Sequence, residues 1–126
     1  MKRFIAMLLM LCSALLMTAA FAEEAAPEAK ITVVEQRFIN MEDNGHGFFF
    51  AKVQNTGDAA GYVDYKGNIV ASDAEGNIIL TENYVSTAPD EVYLEPGEYA
   101  YVCENIYDDA LDTAEVADCK FSIRAA

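Results

Sequence analysis

The chain has 126 residues, with 21 acidic and eight basic side chains and a formal net charge of −13. A surface this negative repels nucleic acid and anionic membranes, and it favours a soluble monomer. The length suits one domain and no motif calls for a cofactor.

Residues 1–22 read as an export signal. Lys2 and Arg3 supply positive charge, an apolar run spans Phe4–Leu11 and resumes over Ala14–Met17, and Ala20-Phe21-Ala22 offers the small residues of a cleavage site. The run is too short for a membrane anchor, and no later segment reaches spanning length. Leu11 before Cys12 argues against lipidation, because a small residue is wanted there. Removal of the signal leaves 104 residues, with six basic against 21 acidic side chains, so the charge deepens to −15. The expected location is extracellular, in the cell envelope or in the periplasm.

Residues 23–29 are rich in Ala, Glu and Pro and read as a flexible leader before a domain over 30–126. Short β-branched and aromatic runs follow, separated by turn clusters. The first strand is predicted over Ile31–Phe38, with Ile31 and Val33 on one face and Thr32, Val34 and Phe38 on the other. A turn is expected over Asp43–Gly47, placing His46 between two glycines. Phe48–Gln54 is the second strand: Phe49, Ala51 and Val53 share one face, and Phe48, Phe50, Lys52 and Gln54 the other. Tyr62–Ser72 alternates cleanly, with Gly67 marking a bulge or a split. Asp73-Ala74-Glu75-Gly76-Asn77 is a hairpin turn, and Ile78–Val85 returns from it. Short strands over Val92–Leu94, Tyr99–Ile106 and Cys119–Arg124 complete the pattern.

About seven strands with frequent turns predict an all-β immunoglobulin-like antiparallel β-sandwich. Its expected core holds Val33, Phe49, Ala51, Val53, Tyr65, Ile69, Leu80, Leu94, Tyr101 and Phe121. Cys103 and Cys119 form an even pair in an exported domain and are expected as a disulfide. It would close a loop of roughly 15–17 residues, worth about 3 kcal/mol.

Three further stretches carry a resemblance. Val53-Gln54-Asn55-Thr56-Gly57, Asp73-Ala74-Glu75-Gly76-Asn77-Ile78 and Leu94-Glu95-Pro96-Gly97-Glu98 resemble, in order and spacing, turns of the FxLYD-type family of small exported bacterial immunoglobulin-like domains. At the place of the eponymous motif stands Ile69-Val70-Ala71-Ser72-Asp73, which keeps the Asp and an apolar first position. The resemblance implies a binding or spacer module of the envelope without catalytic residues. Leu94, Pro96-Gly97 and Tyr99 also resemble the tyrosine corner of Greek-key sandwiches.

His46 is the one histidine and sits in the predicted turn, so no positioned base stands out and the chain reads as non-enzymatic. Asp108, Asp109 and Asp112 fall close together in the acidic 107–118 segment and are candidate calcium ligands. Phe48 and Phe50 point away from the core face, where a sandwich strand meets water. With Tyr62 they form a candidate patch for an unidentified protein or glycan partner. The expected function is an exported non-enzymatic binding or adhesion module; the alternatives are a structural spacer and a calcium-stabilised domain.

Overall fold

The computed structural model describes residues 25–41 and 45–126. The expected signal and the first residues of the predicted 43–47 turn lie outside the described residues.

The protein is an all-β, antiparallel structure. Its strands are β1 (Ile31–Asn40), β2 (His46–Asn55), β3 (Gly61–Tyr62), β4 (Gly67–Ser72), β5 (Ile78–Val85), β6 (Tyr93–Leu94), β7 (Tyr99–Tyr107) and β8 (Asp118–Ser122). A single 3₁₀ turn, Asp109–Asp112, separates β7 from β8. The sheets run β1-β2-β7 and β5-β4-β8, with the short pair β3-β6 beside them.

The alternation within β2 is the main organising signal. Phe49, Ala51, Val53 and Asn55 are buried, and the residues between them are only half-buried. Ile69 and Ala71 of β4, Val102 and Ile106 of β7 and Phe121 of β8 join the same core. The Phe49 and Phe121 rings meet at 5.1 Å between centroids, tilted by 59°, which joins β2 to β8. Burying a side chain of that size contributes about 1.5–3 kcal/mol.

The long predicted third strand is interrupted over 63–66, and Gly67 opens its second part. A Cβ there would lie 2.2 Å from the Val85 carbonyl oxygen, and the ladder shifts register between Gly67 and Asn68. The chain therefore splits into β3 and β4, and eight strands replace the expected seven. A bulge between Val33 and Glu35 changes the parity of β1. Phe38 is consequently paired with Phe49 and packs on the core, on the same face as Val33 rather than opposite it.

The predicted hairpin forms over Asp73–Asn77. Asp73 Oδ1 accepts from the backbone N–H of Asn77 at 2.8 Å and of Glu75 at 3.0 Å, and Gly76 takes φ +86°. Those bonds, the Asn77 backbone first, hold the Asp73 carboxyl below its ordinary range.

Asn55, the Asn of the Val-x-Asn-x-Gly stretch, is fully buried and fully bonded. Its Oδ1 accepts from Lys30 N at 3.2 Å and Gly57 N at 3.0 Å, and its Nδ2 donates to the carbonyls of Ala59 at 2.8 Å and Leu94 at 3.0 Å. The end of the leader is pinned to the same turn. Glu28 N donates to Asp58 Oδ1 at 2.8 Å and Glu28 O accepts from Asp58 N at 3.1 Å, so the end of the expected leader is bonded to the domain at Glu28.

Three core expectations are corrected. Val33 is half-buried and packs at the margin of the core, and Tyr65 and Tyr101 are exposed. Tyr65 lies in the linker between β3 and β4. Tyr101 has the outward parity of β7, because Ala100 and Val102 take the inward positions. Tyr99 is likewise exposed, under the Lys52 ammonium, and does not form a tyrosine corner.

The expected Cys103–Cys119 disulfide is not formed; both thiols are free. Cys103 lies on β7, paired with Phe50 on the outward face, whereas Cys119 lies on β8 in the other sheet and is buried toward the core. The two side chains thus leave different sheets on different faces. Burial, and then the neighbouring Asp118 charge, pushes the Cys119 thiol up to about 11.

Candidate binding surface

The outward face of β1-β2-β7 is built by register. Ile39, Phe48 and Asn105 form one row; Arg37, Phe50 and Cys103 the next; then Glu35, Lys52 and Tyr101; then Thr32, Gln54 and Tyr99. Each residue reaches this face because its sequence neighbours, such as Phe49, Ala51 and Val53, are drawn into the core.

Aromatic side chains run the length of the face. His46 and Tyr107 stack at 4.5 Å with their planes 9° apart. Phe50 stacks against Tyr101 at 6.1 Å and 29°. Lys52 Nζ sits 4.1 Å above the Tyr99 ring, a cation–π contact worth about 0.5–1 kcal/mol at an exposed site. Tyr99 and Tyr101 remain roughly half-exposed, at 47% and 46%, and Tyr107 is 70% exposed.

The charge of this face differs from that of the chain. Its strand positions carry Arg37 and Lys52 against Glu35, in a protein of net charge −13. The face therefore offers rings, an amide at Gln54 and another at Asn105, and a small local excess of positive charge.

Of the predicted patch, Phe48 and Phe50 are brought together on this face, both half-buried. Tyr62 is not. It belongs to β3, pairs with Tyr93 of β6, and packs edge-on against the Tyr93 ring at 4.9 Å. The strand interruption before Gly67 and the short β3-β6 pairing carry it to another part of the molecule.

His46 is a strand residue rather than a turn residue. It opens β2 opposite Tyr107, and its Nε2 is 3.0 Å from Asn105 Oδ1. The acidic segment is also resolved into particular roles. Asp108 caps the 3₁₀ turn, its carboxylate accepting from Ala110 N at 2.9 Å, while Asp109 and Asp112 lie within that turn. Among the described residues no group of three or more His, Cys, Asp or Glu side chains is gathered to hold a metal ion.

Tyr99, Tyr101 and Tyr107 are exposed residues of this candidate surface that sequence reasoning missed. Tyr99-Ala100-Tyr101-Val102-Cys103 is apolar at both parities, so alternation does not choose a face. The available signal is size: Ala and Val suit a crowded interior, and three tyrosines suit a face where each hydroxyl meets water.

Comparison with protein-family models, with curated proteins and with solved structures found no match. No helix among the described residues is long and apolar enough to cross a membrane.

Proposed function

We propose that this chain is an exported, non-enzymatic binding module, an immunoglobulin-like β-sandwich resembling the FxLYD type, whose contact surface is the outward face of β1-β2-β7. The observation that carries the reading is the Phe50–Tyr101 stack on an outward sheet face. Solvated sheet faces are ordinarily polar, and clustered rings on one mark a partner site. Two three-stranded antiparallel sheets sharing one core support the sandwich assignment. Lys2, Arg3 and the apolar run after them support export.

The partner is a protein or a glycan that meets a flat surface of rings and amides. A cross-linking pull-down from envelope extract, repeated with Phe50→Ser combined with Tyr101→Ser, tests the reading. Capture of a saturable partner by the parent chain and its loss in the variant, at nearly unchanged thermal midpoint, is the expected result. Equal capture by both chains would falsify the role of this face. A chain that captures nothing is a spacer.

A further inference from the structure

A second surface, away from the outward face of β1-β2-β7, has its own chemistry. Two adjoining hollows lie where the β3–β4 linker meets the end of β5 and the β5–β6 loop. One, of about 410 Å³, is lined by Tyr65, Tyr84, Ser86, Asp90 and Glu91. The other, of about 340 Å³, is lined by Tyr62, Asp64, Tyr65 and Glu91 with Val63 and Ala126. Tyr65 and Glu91 belong to both. These volumes fall in the range of small-molecule sites.

The linings combine aromatic rings with carboxylates. Tyr62, Tyr65 and Tyr84 are all exposed, Tyr84 at 71%, so their surfaces are available to a ligand. Asp90 is held in place by the Ser86 hydroxyl, which donates to its carboxylate. Tyr84 (φ 61°) and Glu91 (φ 51°) are the non-glycine residues with positive φ among the described residues, and both line the same hollow. The negative field extends beyond the rim: burial first, then the Glu82 and Asp90 charges, hold the Glu104 carboxyl above its ordinary range.

An ammonium group already uses this chemistry. Lys66 Nζ lies over the Tyr65 ring, 5.5 Å from its centroid. Rings favour a cation over a neutral ligand through their quadrupole, and carboxylates in the same hollow add Coulomb attraction. A hard metal ion is a poor match, because the described residues gather no set of three ligating side chains. We propose that the Tyr65–Tyr84–Glu91 hollow is a binding site for an alkylammonium group, with Tyr62 extending it, Lys66 competing for the Tyr65 ring, and Asp64 already paired with Arg124 at 3.4 Å.

The experiment is an NMR titration of the full chain with choline chloride and, separately, with Nα-acetyl-lysine methylamide. Potassium chloride at matched ionic strength is the control. The expected result is saturable shifts confined to Tyr65, Tyr84, Glu91 and their neighbours with at least one organic cation, and none with potassium. Saturation by choline alone assigns a quaternary ammonium ligand; saturation by the lysine derivative assigns a lysine side chain. Tyr84→Ala and Glu91→Gln should each weaken binding by about two- to fivefold, whereas Tyr84→Phe keeps the ring and the affinity. Lys66→Ala should tighten it by freeing the Tyr65 ring. Should neither cation saturate, potassium give the same shifts, or Tyr84→Ala bind like the parent while remaining folded, the site does not exist.

Discussion

Asn55 Nδ2 donates to the Leu94 carbonyl at 3.0 Å, joining the end of β2 to β6 across 39 residues of chain. The same side chain serves the Lys30 and Gly57 N–H groups and the Ala59 carbonyl, so one buried amide closes three segments. A buried polar group left without its partner costs about 1–3 kcal/mol. Asn55→Ala should therefore destabilise the fold by about 2–4 kcal/mol, because several partners are stranded together. Urea unfolding followed by circular dichroism measures this. A midpoint unchanged within error would show that water replaces the amide freely.

The two thiols should differ sharply in reactivity. Cys103 is exposed, while Cys119 is buried with its thiol pushed up to about 11. The thiolate is the reactive form, so at pH 8 Cys119 is protonated as well as shielded. Alkylation of the native protein followed by peptide mass spectrometry should modify Cys103 rapidly, and Cys119 only after denaturant is added. A Cys103–Cys119 cross-linked peptide from the unreduced protein would contradict the arrangement of the sheets.

Glu104 gives a pH dependence of defined sign. It occupies an inward parity position of β7, between Val102 and Ile106, where burial and then the charges of Glu82 and Asp90 raise its pKa. The folded state therefore binds this proton more tightly than the unfolded chain does. The corresponding stabilisation is present below the unfolded value and is lost as pH rises through the folded one. Glu104→Gln should accordingly raise the thermal midpoint at pH 7, and the advantage should shrink as the solution is acidified toward the ordinary glutamate range. A variant less stable than the parent at pH 7 would mean that the carboxylate makes a favourable contact outweighing its burial.

Much of the strand layout was legible in the residues. Ala51 and Val53 alternate with Lys52 and Gln54, and such alternation has one solution when a single face is buried. The Asp73–Asn77 turn was equally local, since its bonds close within five residues and Gly76 supplies the left-handed position. Gly67 announced a break, although not that the break would send Tyr62 to a different sheet from Phe48 and Phe50.

The composition of this chain determined an acidic all-β domain, because period-two patterning and turn residues act over a few bonds. Only the tertiary structure decided which parity of β7 faces out, because Tyr99, Tyr101 and Cys103 compete with Ala100 and Val102 for one interior, and pairing with β2 settles it. That choice moved Tyr101 from the expected core to the exposed face beside Tyr99, and it separated two cysteines that spacing alone would have joined. The tyrosine–carboxylate hollow has the same origin: Tyr65, Tyr84 and Glu91 share no sequence motif and meet because the β3–β4 linker and the β5–β6 loop fold to one end.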